Sequence, residues 1–352
     1  MNNPNIVFPP EWAPQQSVLL TWPHKATDWV LMLEEVEQLY LQLAKEILKR
    51  ESLIIACADA SKIEQIESAL SGFNDHSLQV FHIESDDTWA RDHGPISVYE
   101  NGSAKLLDFN FNAWGGKFGF NKDNLINSRL VKAKAFEDLQ YEAIDMVIEG
   151  GALESNGQGV LLTTSECLLN PTRNPQLSKA DIEQKLNNHL GIEHVLWLDN
   201  GYLAGDDTDS HIDTLARFCA DDMICYVKCD DQHDEHYDAL KKMEDQLHSF
   251  RQPNGHPYRL AALPMTDAIF DEGDRLPATY ANFLIVNGAV LAPIYGVKQD
   301  QEALDTLQRC FPDREIVPIN CLPLIKQHGS LHCITMQIPQ SCQPKKITFA
   351  AE

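Results

Sequence analysis

Strand-like segments arrive in twos and threes along this chain before a helical segment intervenes, and that rhythm limits the folds open to it. Runs rich in β-branched and aromatic residues, bounded by turn formers, fall at Val18–Trp22, Leu53–Cys57, Leu78–Ile83, Ile96–Tyr99, Lys105–Phe109, Val160–Thr163, Met223–Lys228, Phe283–Asn287, Val290–Pro293 and Leu331–Gln337. Apolar residues recur at helical spacing over Trp29–Arg50, Ala60–Leu70, Lys179–Leu190, His236–Phe250 and Asp300–Phe311, with Ser178 placed to open the third of these. Two or three strands and then a helix recur four or five times. That alternation predicts an α/β fold, while the frequent strand pairs do not suit a plain doubly wound sheet. No Gly-rich linker or charge block divides the chain, so one domain over residues 1–352 is expected.

Composition narrows the function. The 352 residues, 43% hydrophobic and 23% charged, belong to the ordinary globular class. The start, MNNPNIVFPPEW, lacks a basic segment followed by an apolar one, and no run is long and apolar enough for a membrane helix, so a cytoplasmic protein is expected. A formal charge of −24 argues against nucleic acid or an anionic membrane as partner and suits a small cation. Nine scattered cysteines without a CxxC pair predict neither a disulfide framework nor a zinc ribbon. The His233-Asp234-Glu235-His236 stretch reads as a solvated helix start rather than a metal site.

Chemistry concentrates in SDDTWARDHGP (85–95), EGGALESNG (149–157), GDDTDSHID (205–213) and HGSLHCITM (328–336), with the aromatic loop FNFNAWGGKFGFN (109–121) between them. On a strand, His211 and Asp213 would share a face, giving a histidine able to act as acid and then base. Asp92 sits before a Gly-Pro turn, at a loop mouth beside Trp89. Cys333 is the nucleophile candidate; in a strand the adjacent His332 would point away from it and act as a bystander, leaving His211 as the partner. Taken singly, each residue also fits an inert structural role. Together they describe two carboxylates, a general acid and a thiol. Two facing carboxylates require a cation between them, and a planar guanidinium, with N–H donors on two edges, fits.

WPHKATDW (22–29), DDTWARDHGP (86–95), FNAWGGK (111–117), EGGALESNGQGVLLTTSECLLNPTRNP (149–175), GDDTDSHIDTLARF (205–218), RLPATYANFLIVNGAVLAPIYG (275–296) and HGSLHCITMQIP (328–339) resemble, in order, the agmatine deiminases of the Porphyromonas-type peptidylarginine deiminase family. The resemblance runs from about residue 9 to 339, leaving 340–352 as a tail. It implies a pentein fold, five ββαβ-type modules in a five-bladed α/β propeller with pseudo-fivefold symmetry. It also implies cofactor-free, metal-free hydrolysis of agmatine to N-carbamoylputrescine and ammonia, and a homodimer. Carried over, Asp92 and Asp213 would grip the guanidinium, Cys333 would attack its carbon, and His211 would serve as acid and base. Glu149 would hold substrate or orient His211, Trp89 and Trp114 would wall the aliphatic linker, and Asp207 would meet the distal ammonium. Gln327, His328 and Ser210 stand where the family usually has glycine. Arginine or peptidylarginine as substrate, and a catalytically silent binder of cationic amines, are the alternative readings.

Overall fold

The structure is a computed structural model describing residues 5–73, 75–136 and 139–343; the tail from 344 onward lies outside the described residues. Among these residues five mixed sheets share one connection order. A first strand pairs antiparallel with a second, and a helical crossover returns the chain to a third strand parallel to the second. The sets are Ile96–Glu100, Ser103–Asn110 and Gln140–Val147; Glu154–Ser155, Val160–Thr164 and His194–Leu198; and Ala216–Ala220, Met223–Lys228 and Arg259–Pro264. Leu284–Val286, Ala289–Ile294 and Glu315–Asn320 form the fourth. In the fifth, Thr335–Pro339 from the end of the chain lies antiparallel to Gln15–Trp22, which continues parallel to Ser52–Cys57 and Leu78–His82. The α/β expectation and the strand-strand-helix rhythm hold.

Local chemistry explains the elements. Asn101-Gly102, both left-handed at φ +52° and +86°, closes the first antiparallel pair in the two-residue turn that Asn-Gly favours. The Lys179–Leu190 helix starts in a capping box between Ser178 and Asp181 and stops at Gly191, φ +68°. The first long helix is shorter than its pattern suggested. Asp28–Leu31 forms a separate 3-10 turn, and the α-helix runs Leu33–Leu48. It buries Val36, Leu39, Tyr40, Leu43, Ala44, Ile47 and Leu48 on one face. At about 1.5–3 kcal/mol for each large apolar side chain, that stripe rather than helix propensity holds it in place.

The outer parallel strands were the least visible in the sequence. Gln140–Val147, Arg259–Pro264 and Glu315–Asn320 leave most positions exposed or half-exposed, and Pro264 ends the second while Pro318 interrupts the third. Ala216–Ala220 is buried but carries no β-branched residue. No helix among the described residues is long and apolar enough to cross a membrane.

A buried ion cluster ties several of these units together. Arg217 donates to Glu11 at 2.5 Å, to Glu154 at 2.6 Å and to the carbonyl of Phe283 at 2.9 Å, and stacks over the Phe283 ring. Glu11 lies ahead of the Gln15–Trp22 strand, so one guanidinium joins the N-terminal segment to three other sheets. Glu154 remains pushed up to about 7 by burial even with Arg217 beside it, so its carboxylate depends on that guanidinium. Arg217→Ala strands two buried acids, and we expect a loss of about 3–5 kcal/mol of stability. Urea unfolding measures it; a change below about 1 kcal/mol would show that the cluster is not a structural tie.

Candidate active site

Each of the five sheets is entered through a tight turn just before its first strand, and those turns converge. Asp92 lies in the one-turn helix Ala90–His93 ahead of Ile96–Glu100. Glu149 precedes the 3-10 turn Gly150–Ala152 ahead of Glu154–Ser155. His211 caps and Asp213 belongs to the 3-10 turn Ile212–Thr214 ahead of Ala216–Ala220. Asn282 precedes Leu284–Val286, and Cys333 precedes Thr335–Pro339.

Two expectations change here. His211 and Asp213 are on a turn rather than a strand, and the last strand starts two residues beyond Cys333. The second difference has a local cause. The Asn282 side-chain oxygen accepts the backbone N–H groups of His332 at 2.9 Å and Cys333 at 3.3 Å, so they are bound to a side chain instead of a strand ladder. The Cys333 thiol also donates to this oxygen, at 3.4 Å. Asn282 lies within a quoted family segment, but nothing in its local pattern marks it as a holder of Cys333.

Asp92, His211, Asp213 and Cys333 line one cavity of about 210 Å³, walled by Trp89, Trp114 and Phe118. Six aspartates (Asp28, Asp87, Asp92, Asp206, Asp207 and Asp213) face it, and no Arg or Lys is among the described lining residues. The buried arginines Arg91, Arg173 and Arg217 are absent from its walls.

Asp92 is buried and accepts from the Gly151 N–H and the Trp114 Nε1–H, both at 3.1 Å. Burial, with the nearby charges of Asp213 and Glu149, raises it to about 6 against the pull of His211. Asp213 is drawn the other way. Burial would raise it, but the hydrogen bond and charge of His332, then His211 and Arg217, hold it below the usual carboxylate range. His211 Nδ1 lies 3.6 Å from Asp92, and Nε2 lies 3.9 Å from Glu149. Burial opposes the imidazolium, yet Asp92, Cys167 and Glu149 outweigh it and lift His211 well above the ordinary histidine range. Burial, then Asp213 and Asp92, push the Cys333 thiol well above its ordinary value. The unliganded site therefore holds a thiol beside an imidazolium.

Glu149 does not reach the cavity. It is wholly buried, accepts from Arg173 Nε through Oε1 at 2.9 Å, and turns Oε2 to both the Cys167 thiol at 3.7 Å and His211 Nε2 at 3.9 Å. Cys167 and Arg173 were not singled out in the sequence. Gly151 was quoted only within its segment, but a Cβ there would stand 2.4 Å from His211 Nδ1 and 2.8 Å from Asp92 Oδ1, so only glycine allows the pair to approach.

Trp89 and Trp114 both wall the cavity, with ring centroids 6.4 Å apart. The Trp89 ring lies against Gly329, where a Cβ would come within 2.0 Å of it. Trp114 is left-handed at φ +54°, in a turn where Asn112 accepts the Gly115 N–H at 2.9 Å. Asp207 stands half-exposed at the mouth, 4.0 Å from His328 Nδ1. The departures from the family pattern have a backbone meaning. Ser210 and His328 are both left-handed, at φ +61° and +63°, whereas Gln327 is not. Asp206 accepts the Ser210 N–H at 2.8 Å, and the Gly205 carbonyl holds His328 Nδ1 at 2.8 Å.

His332 is no bystander. Its ring nitrogens lie 2.7 Å from Asp213 and 2.7 Å from Glu11, behind the cavity. The strand assumption had turned it away. The His233–His236 stretch is likewise in use: Asp234 pairs with Arg275 and His236, and His236 Nε2 accepts the Ala204 N–H at 2.8 Å, steadying the loop that leads to Asp207.

The fold is shared with an amidinotransferase of Microseira wollei from saxitoxin biosynthesis, which superposes with a TM-score of 0.53 over 97% of this chain and 99% of its own, at 10% identity. Residues 7–339 match the Porphyromonas-type peptidyl-arginine deiminase family, and the chain belongs to it. It is 33% identical to the agmatine deiminase of Pseudomonas putida over 94% of this chain and 95% of that protein. A substrate-bound cysteine-to-serine form of C. jejuni agmatine deiminase has a TM-score of 0.90 at 36% identity, covering 97% of this chain and 98% of its own. A Porphyromonas gingivalis protein proposed to be an arginine deiminase has 0.89 at 49%, covering 97% and 100%.

The charge pattern predicts selective labelling. Neutral iodoacetamide should take the exposed Cys342 first, because Cys333 is a buried thiol. A chloroacetamidine, whose amidinium seats between carboxylates, should take Cys333 first. Peptide mapping by mass spectrometry reads both orders, and equal labelling of the buried cysteines by the amidine would show that the site is not organised around a planar cation.

Proposed function

We propose that this protein is an agmatine deiminase that uses Cys333 as nucleophile and requires no metal or cofactor. The observation that carries the reading is the cavity, where a cysteine stands among six aspartates and the charged His211, with neither Arg nor Lys among the described lining residues. A guanidinium at one end and an ammonium at the other suit such walls. Free arginine would bring a carboxylate into the same field.

Asp92 and Asp213 hold the guanidinium by its N–H edges. The arriving cation favours the thiolate, and Cys333 releases its proton to solvent as substrate binds. Its sulfur bonds to the central carbon, giving a tetrahedral adduct. His211, held as the imidazolium by Asp92 and by Glu149 behind it, gives a proton to one amino group. The carbon–nitrogen bond breaks, ammonia leaves, and an S-alkylthiouronium remains. The now neutral His211 takes a proton from water as its oxygen bonds to that carbon. The carbon–sulfur bond of the second adduct breaks as its hydroxyl proton passes to the departing sulfur, which restores the Cys333 thiol as N-carbamoylputrescine departs. Trp89 and Trp114 flank the methylene chain, and Asp207 beside His328 meets the distal ammonium.

The same reading makes residues 1–352 one catalytic domain, with the five sheets as blades of a pseudo-fivefold propeller, in a cytoplasmic homodimer. The shared connection order and the five turns that carry Asp92, Glu149, Asp213, Asn282 and Cys333 support the propeller. The 49% identity to a protein proposed to act on arginine keeps arginine as the second reading.

Ammonia release from agmatine, arginine and a blocked arginyl peptide separates these readings. Turnover is expected with agmatine alone and is abolished in Cys333→Ser. Turnover of arginine or peptide instead would overturn the substrate, and a folded protein inert to all three would be a silent binder. The acid limb of kcat/KM follows the free protein. Asp92 must be ionised, so activity should fall as the pH drops through about 6. A limb near 4 would remove Asp92 from the site of cation binding.

A further inference from the structure

Asp92 and Asp213 face the same cavity but are supported differently. Asp92 takes its two hydrogen bonds from the neutral donors Gly151 N–H and Trp114 Nε1–H. Asp213 Oδ2 pairs with His332 Nδ1 at 2.7 Å, while His332 Nε2 pairs with Glu11 Oε2 at 2.7 Å. His332 and Asp213 are each 1% exposed and Glu11 is 7% exposed. An ionised carboxylate only accepts hydrogen bonds, so an imidazole bridging two of them must carry a proton on both nitrogens. Glu11 is secured as a carboxylate by Arg217 Nη2 at 2.5 Å and by the Ile285 N–H at 2.7 Å.

On the reading of this cavity as a guanidinium site, we propose that His332 is a positioning residue: its imidazolium, clamped by Glu11, holds Asp213 as a carboxylate with Oδ1 left for the substrate. Oδ1 has no hydrogen-bond partner among the described residues. The N-terminal segment is thereby part of the site, because Glu11 supplies the far end of the bridge. Other charged groups set the field in which it works. Asp213 also faces His211, Arg217 and the thiol of Cys333, and lies within reach of Asp92. Glu11 also faces Arg91 at 4.0 Å, with Arg314, Glu51 and Glu154 further off. The arginines around Glu11 favour its carboxylate and so reinforce the clamp, and Arg91 also acts on both Asp213 and Asp92, whereas the cation nearest Asp92 is His211.

Two measurements test this, one of which needs no substrate. In protein with ¹⁵N-labelled histidine, the His332 ring should show both nitrogens protonated at pH 7, as donation to two carboxylates requires. The signal is assigned by its disappearance in His332→Gln, or by its displacement in Glu11→Gln should the first variant not fold. A neutral His332 ring at pH 7 overturns the proposal. In kinetics, losing the cation raises Asp213, so the acid limb of kcat/KM shifts to higher pH and steepens from one proton toward two. The loss should fall mainly on KM and be at least about tenfold greater at pH 6 than at pH 8, equivalent to one unit of pKa. Glu11→Gln, which keeps an acceptor for Nε2–H, should move the limb in the same direction by less. Parallel pH profiles in the variant and the parent overturn the positioning role. A parent that turns over no guanidine while its His332 ring stays doubly protonated would instead fail the proposed function and leave the clamp standing.

Discussion

Like charges buried together are the constraint on which the site depends. Asp92, Asp213, Glu149 and Glu11 are all withdrawn from water, and Cys167 and Cys333 are buried among them. Uncompensated, each ionised group would cost several kcal/mol. Cations interleaved behind the cavity offset that cost: Arg173 against Glu149, Arg217 and Arg91 against Glu11, and His332 between Glu11 and Asp213. On the cavity side the compensation is incomplete. Asp92 rests on neutral donors and stays pushed up to about 6, and Asp87 at the wall is raised likewise, chiefly by burial. A site built in this way favours a cation in its cavity and disfavours an anion.

The modular fold makes such crowding possible. Each side chain arrives from the turn before the first strand of a different sheet, or from a different position on the same turn, so backbones rooted in separate cores hold like charges in place. Where the chain must approach closely it uses glycine, as at Gly151 against His211 and Gly329 against Trp89. Where it places a larger residue in a left-handed conformation, side-chain and backbone hydrogen bonds hold it. The Gly205–Ser210 loop serves both departures: Asp206 anchors Ser210, and the Gly205 carbonyl anchors His328. Loop and histidine are thus set against one another at the mouth, beside Asp207.

What was legible in the sequence divides along physical lines. Strands buried on both faces and helices with one apolar stripe announced themselves, and so did polar residues dense enough to form motifs. Of the half-exposed outer strands, Leu78–His82 was legible, but Gln140–Val147 and Glu315–Asn320 were not, the latter interrupted by Pro318. Asp92, His211, Asp213 and Cys333 were visible as chemistry, yet assigning His211 and Cys333 to strands sent His332 to the wrong side. Alternation applies only within a ladder, and Asn282, some fifty residues earlier, removes the His332 and Cys333 amides from one. Glu11, Arg173 and Cys167 were silent for a related reason. Their roles are pairings with residues brought close by the fold, and no local pattern encodes a partner.

The resting protonation of the nucleophile follows from the same electrostatics. Both Cys333 and His211 are held well above their ordinary ranges, which favours a thiol and an imidazolium over a thiolate-imidazolium pair near neutral pH. His211 is already charged, and on the proposed mechanism its proton is kept for the leaving group. The ionising influence must then come from the substrate. A cation about 4 Å from a sulfur at an effective dielectric near 20 contributes about 4 kcal/mol, on the order of three pKa units. In the proposed site, seating the guanidinium between Asp92 and Asp213 would also screen the two charges that raise the thiol most after burial itself. The two contributions act together only for a ligand that carries its charge at the carbon to be attacked. A neutral urea leaves the thiol protonated, and so the product, once formed, is not a substrate for a second attack.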